Sequence, residues 1–123
     1  MKIHEFDPVI YPYKVWVIVE KLPTHIADYF DEYSGAPILF EPGDVDRHEA
    51  FTMPATHKNQ KRFGVILYFR NTRSMTFELV AHEATHAAKY LFEHIGADAK
   101  QHEPLEYVVG WIAGCCEKVK KGK

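Results

Sequence analysis

The segment that most constrains this chain runs from Ser74 to Gly96. Phe77, Val80, Ala81, Ala84, Ala88, Leu91, Phe92 and Ile95 recur at helical spacing. Ser74 or Thr76 suits an N-cap, and Gly96 stands just past the last periodic residue, where a left-handed stop belongs. The pattern predicts one long helix whose apolar face needs a sheet or another helix to cover it. Within that helix stands His82-Glu83-Ala84-Thr85-His86, an H-E-x-x-H.

Four residues of separation puts both imidazoles on one helical face, with Cβ atoms about 5–6 Å apart. From there two ring nitrogens can reach one zinc ion at roughly 2.0–2.1 Å each. Glu83 projects from a neighbouring part of that face, placed for the general-base role this motif serves in zinc peptidases. The bland alternative is a pair of histidines on a half-buried helix, bonded to carboxylates.

The rest of the chain supplies partners for the helix. Tyr13 to Glu20 is β-branched and aromatic, bounded by Pro12 and Pro23, and reads as a strand. Thr24 to Tyr33 carries Ile26, Tyr29, Phe30 and Tyr33 at amphipathic-helix spacing, with Thr24 as N-cap. Ser34 to Asp46 is rich in Gly and Pro and reads as loop. His48 to Thr56 reads as a strand that Pro54 confines to an edge or bulge. The polar turn Lys58 to Arg62 then leads to a strand over Phe63 to Phe69, and the two strands suit a hairpin. After the motif helix, Pro104 at a first helical position and the stripe Leu105, Val108, Val109, Ile112, Cys116 and Val119 predict a last helix. Gly110 and Gly114 on it would permit close approach to Ala81, Ala84 and Ala88. The expected fold is α+β: about three strands in a small antiparallel or mixed sheet packed by three helices, one domain over residues 1–123.

Composition narrows the function classes. A net charge of −2 implies no nucleic-acid partner, and the closing lysines (Lys118, Lys120, Lys121, Lys123) suit solubility and a helix C-terminus. No apolar run is long enough for a membrane span. The first residues carry charges where a signal peptide needs an apolar stretch. Cys115 and Cys116 are adjacent, a poor geometry for a disulfide, and read as small core residues. A cytoplasmic protein is expected.

A catalytic zinc usually takes three protein ligands and keeps one open position. The three-histidine continuation of H-E-x-x-H is excluded, because Lys89 and Phe92 occupy its Gly and His positions. Asp98, His102, Glu103 and Glu106 are the downstream candidates. Glu103 is favoured, since it precedes Pro104 at a loop-to-helix junction where a carboxylate also meets the positive end of the helix dipole. Glu106 suits a carboxylate that orients a ligand histidine. Tyr107, four residues after Glu103, is a candidate oxyanion donor, although a packed helical tyrosine is commoner. His4, His25, His48, His57 and His94 lack ligand spacing, and His94 reads as a cation at the negative end of the motif helix.

His82-Glu83-x-x-His86-Ala87-Ala88, Ile95-Gly96 and Glu103-Pro104-x-x-Tyr107-x-x-Gly110-Trp111, with Tyr11-Pro12-Tyr13-Lys14-Val15-Trp16 upstream, resemble a group of small uncharacterised phage and prophage proteins. The likeness covers most of the chain. Members carry a zincin-like H-E-x-x-H followed by Glu-Pro-x-Ala-Tyr, so the resemblance implies Glu103 as third ligand. Glu106 stands where that pattern has alanine. The layout is also similar to a minimal gluzincin, although Tyr107 replaces the aspartate that follows the ligand glutamate in those enzymes.

The expected function is peptide-bond hydrolysis, with Zn2+ held by His82, His86 and Glu103, Glu83 as base and Tyr107 at the oxyanion. The peptide is expected to add as a strand along an edge formed by Val65, Ile66, Leu67, Tyr68 and Phe69. The rival expectation is a non-catalytic, zinc-stabilised module that grips a phage or host protein.

Overall fold

The computed structural model describes residues 2–41, 49–97, 100 and 102–122, with the backbone alone for 102 and 103. Five strands form one mixed sheet: β1 (Ile3–Phe6), β2 (Lys14–Val19), β3 (Phe30–Glu32), β4 (Ala50–His57) and β5 (Arg62–Phe69), in the spatial order β1-β2-β5-β4-β3. Among the described residues three α-helices accompany them: α1 (Ile26–Tyr29), α2 (Phe77–Ile95) and α3 (His102–Lys120). The α+β class and mixed sheet follow the sequence pattern, whereas the sheet has five strands rather than three.

The centre of the sheet is β5. It pairs parallel with β2 (Val15↔Val65, Val17↔Leu67) and antiparallel with β4 (Phe51↔Tyr68, Met53↔Ile66). Val65, Ile66, Leu67, Tyr68 and Phe69 are all fully buried. This corrects the expectation that the segment is an exposed edge. An unbroken apolar run is what a strand needs when both of its faces are covered, and burying each Val, Ile, Leu or Phe contributes about 1.5–3 kcal/mol.

One face of the sheet presents Val15, Val17, Val65, Leu67 and Phe69 to Val80, Ala84, Ala87, Ala88 and Leu91 of α2 and to Ile112 and Cys116 of α3. The other face packs Trp16, Ile18, Ile66 and Tyr68 beneath Ile26, Phe30 and Ile38. Gly64 is required by a close approach: a Cβ there would stand 2.4 Å from the Trp16 ring and 2.5 Å from the Lys14 carbonyl oxygen. Glu5 of β1 accepts a 2.9 Å hydrogen bond from Trp16 Nε1.

Three local expectations change. The helix predicted over Thr24 to Tyr33 is a 3-10 turn (Pro23–His25) plus the single turn α1, after which Phe30 turns extended to pair with His57. Burial of the Phe30 ring against Trp16, 4.9 Å between centroids, overrides the helical periodicity. Gly110 and Gly114 have nothing within 4 Å of a built Cβ, so neither marks a close approach to α2. Gly114 instead lines an open groove with Phe77, Ala81 and Ala113. Strand β1 carries no apolar alternation strong enough to announce it.

The caps of α2 fall where the sequence puts them. Thr76 Oγ1 accepts from Leu79 N at 3.2 Å, while Ser74 belongs to the preceding 3-10 turn (Thr72–Ser74). At the far end Gly96 sits at φ 73°, with Ala97 N donating to Phe92 O and Gly96 N to Glu93 O. That pair of bonds is a Schellman closure. Cys115 and Cys116 are buried free thiols.

Candidate metal centre and substrate edge

Helix α2 turns its apolar side to the sheet and α3, which leaves His82 and His86 exposed. Their Nε2 atoms lie 3.2 Å apart, with ring planes at 80°. Two nitrogens that hold one zinc tetrahedrally at roughly 2.0–2.1 Å are about 3.3 Å apart, so the pair has the spacing of two tetrahedral ligands. The same distance also permits one imidazole N–H to donate to the other ring, given complementary tautomers. The donor set, two neutral imidazoles on adjacent turns, suits zinc.

Glu83, next to His82 in the chain, lies on the side of α2 that meets β4 and is only 5% exposed. Thr52 Oγ1 of β4 donates to its Oε1 at 2.7 Å. The carboxylate is thus held by strand β4. Thr52 is the residue sequence reasoning missed, because nothing in the pattern of β4 identifies which of its hydroxyls meets the motif helix.

Strand β4 offers the open edge that β5 does not. Strand β3 pairs only with Ala55, Thr56 and His57, so among the described residues Ala50 to Pro54 have no strand on their outer side. Arg70 N donates to Glu49 O, and in an antiparallel ladder alternate residues turn their N–H and C=O outward. By that alternation Ala50 and Thr52 present backbone groups to the outside, and Pro54 places its missing donor there. The sequence expectation that Pro54 confines its strand to an edge or bulge holds only locally: β4 lies between β5 and β3, and Pro54 precedes the part that β3 pairs.

The third-ligand candidates are distributed differently. Asp98 and the side chains of His102 and Glu103 lie outside the described residues. Glu106 is exposed on α3. Among the described residues no three His, Cys, Asp or Glu side chains gather in a metal-holding group. Tyr107 is 75% exposed and lines an apolar groove of about 290 Å3 with Pro8, Ile10, Tyr11, Pro104, Val108 and Trp111. None of His82, Glu83 and His86 lines that groove.

His94 is more than a dipole partner. It shares a 2.5 Å hydrogen bond with Tyr33 through Nδ1, and its ring packs 4.8 Å from Tyr13 and 5.3 Å from Phe63. It ties the end of α2 to three segments distant in sequence. No helix among the described residues is long and apolar enough to cross a membrane.

No protein-family model matches the chain, no curated protein matches it, and no solved structure matches it.

Proposed function

We propose that this chain is a small zinc-dependent metallopeptidase on a minimal zincin-like scaffold. The observation that carries the reading is the 3.2 Å separation of His82 and His86 Nε2, beside Glu83 held by Thr52 of β4. His82 and His86 would hold the metal, with Glu103 as the third ligand on sequence grounds. Zinc bound there supplies a Lewis acid and lowers the pKa of a water to about 7.

The chain's own residues do the rest. Glu83 takes the proton of the attacking water and later returns it to the leaving amine. The Thr52 hydroxyl fixes the carboxylate by engaging Oε1, which leaves Oε2 for proton transfer. The outer edge of Ala50 to Pro54 receives an extended peptide through backbone hydrogen bonds, and so brings a carbonyl alongside Glu83. Metal content and peptide-library cleavage test this together. Wild type is expected to hold one zinc and to cleave. Glu83→Gln is expected to hold zinc without cleaving, and His82→Ala to lose both. A Glu83→Gln protein that cleaves at the wild-type rate would overturn the base assignment.

The alternative of a non-catalytic, zinc-stabilised binding module draws on a different observation. Ile10, Tyr107 and Trp111 (the last 38% exposed) line one apolar groove, and exposed aromatic clusters of this kind mark protein contacts. Under that reading Glu83→Gln would keep every property of wild type, and partner binding would fall on Trp111→Ala.

A further inference from the structure

A second group of chemistry-bearing side chains lies further along α2. Tyr13, Tyr33, Pro54, Tyr90, Glu93 and His94 line a cavity of about 190 Å3. Its described walls are three phenol rings, an imidazole, a proline and the carboxylate of Glu93. Among the described residues no Lys or Arg lines it. The rings are fixed against one another: Tyr13 and Tyr33 stand 4.8 Å and 5.8 Å from His94, and the Tyr33–His94 hydrogen bond locks the corner between them.

Tyr13 makes this a site rather than a gap. The residue is 2% exposed, and its hydroxyl is buried with no hydrogen-bond partner among the described residues. An unpaired buried hydroxyl costs roughly 1–3 kcal/mol, so the fold retains a polar atom that an occupant of the cavity would satisfy. Burial, and then the charges of Tyr33, Glu93 and Tyr90, push the Tyr13 phenol well above the ordinary tyrosine range. Those three residues are other walls of the cavity that Tyr13 lines, and the phenol stays a neutral O–H.

The chemistry selects a cation. Aromatic faces attract positive charge through their quadrupole, phenol oxygens accept from an ammonium or guanidinium, and Glu93 adds a full negative charge. The volume is below that of a drug-sized pocket and suits one side-chain head. Pro54 connects the cavity to the open edge of β4. It lies on the same face as Thr52 and two residues along, about 7 Å.

We propose that this cavity is a subsite for a lysine or arginine side chain of an extended peptide laid along the outer edge of β4. The peptidase reading supplies the way the peptide arrives; the preference for a cation rests on the cavity alone. Tyr13 accepts a hydrogen bond from the incoming head group, and Glu93 with the rings of Tyr13 and Tyr33 holds its charge.

The test is an NMR titration of the tyrosine and histidine ring signals in the full chain carrying Glu83→Gln, which prevents turnover. The probes are acetyl-Ala-Lys-Ala-amide and the same peptide with norleucine for lysine. The lysine peptide is expected to shift the Tyr13 and His94 signals saturably, and to bind at least about tenfold more tightly than the norleucine peptide. Glu93→Gln and Tyr13→Phe, with folding checked by melting, are each expected to weaken the lysine peptide about threefold to tenfold. Equal binding of the two peptides overturns the proposal. So does the absence of a ring shift up to about 10 mM peptide, in which case the Tyr13 hydroxyl is met by water alone. Saturable lysine binding in a protein that neither holds zinc nor cleaves would sink the peptidase reading and keep the subsite. Cleavage with no preference for a basic residue would do the reverse.

Discussion

The Thr52 hydroxyl donates to Glu83 Oε1 at 2.7 Å and thereby joins the motif helix to the strand that carries the open edge. Since Glu83 is buried, removal of that donor leaves a carboxylate oxygen short of a partner. Thr52→Val is expected to lose about 1.5–3 kcal/mol, the worth of a hydrogen bond to a charged group. Thr52→Ser keeps the hydroxyl and should lose less. Urea unfolding of the three proteins decides this, and an unchanged midpoint for Thr52→Val would mean that the bond contributes nothing.

Zinc is expected to stabilise the folded chain by mass action, by about 2.7 kcal/mol at a free concentration one hundred times its Kd. Differential scanning fluorimetry with and without zinc measures the shift, and a chelator should reverse it. His82→Ala and His86→Ala are expected to abolish the shift, whereas His94→Ala keeps it. A zinc shift that survives loss of both motif histidines would place the metal elsewhere.

Gly64 lies against the Trp16 indole, where a Cβ would come within 2.4 Å of ring carbon. Both residues belong to the paired centre of the sheet, so the collision cannot be relieved by moving a flexible tip. Gly64→Ala is expected to cost about 1–3 kcal/mol and to change the Trp16 fluorescence of the native state.

Val9 has φ 62° and is 86% exposed, in a tight turn closed by Ile10 N donating to Pro8 O at 2.6 Å. A β-branched residue rarely adopts this conformation. Relief of the left-handed penalty, roughly 1–2 kcal/mol, is offset in part by the extra chain entropy of glycine, about 0.5–1 kcal/mol. Val9→Gly is therefore expected to raise stability by up to about 1 kcal/mol. A lower melting temperature would show that Val9 makes a contact worth more than its strain.

Alkaline pH should unfold the chain through groups that must stay neutral. Burial pushes the Cys116 thiol from 9.0 up to about 12 and the Tyr68 phenol from 10.0 up to about 12. Because the folded values are the higher ones, the folded state holds more protons in this range. The stabilisation is complete below pH 9 and is lost as pH rises from 9 toward 12. Unfolding free energy measured between pH 8 and 11 should fall, and Cys116→Ala should flatten the part of the decline that begins near 9. A profile that rises with pH would contradict the sign.

Much of this arrangement is legible in the residues, and what is not has identifiable causes. Helix α2, its Thr76 cap and its Gly96 stop depend on local spacing and local hydrogen bonds, and both were available to a reader of the sequence. So was the strand over Val65 to Phe69. Its place in the sheet was not: five apolar residues without alternation indicate two covered faces, which does not separate a central strand from an edge, and the expectation of an edge failed there. Phe30 is different. Its spacing from Ile26 is helical, and only the Trp16 ring and the pairing with His57 make it extended. In the candidate site, His82, Glu83 and His86 stand within five residues, so one motif collects them. Thr52 lies 31 residues before Glu83 and Tyr33 lies 61 before His94. Neither partnership has a local signature, because each is made by the packing of α2 on the sheet.

The position of β5 also governs how the chain can assemble. Its two neighbours, β2 and β4, do not pair with each other, so the hydrogen-bonded ladder joins them only through β5. Val15 waits for Val65, fifty residues downstream. A chain emerging from the ribosome therefore carries β1, β2, β3 and β4 without the strand that unites them, and a fragment ending before Arg62 would hold two half-sheets with no shared centre. Loop closure over that span must precede the contacts that reward it. Folding is expected to be slow for a protein of this size, and the last amides to exchange with solvent are expected to be those of Val65 to Tyr68.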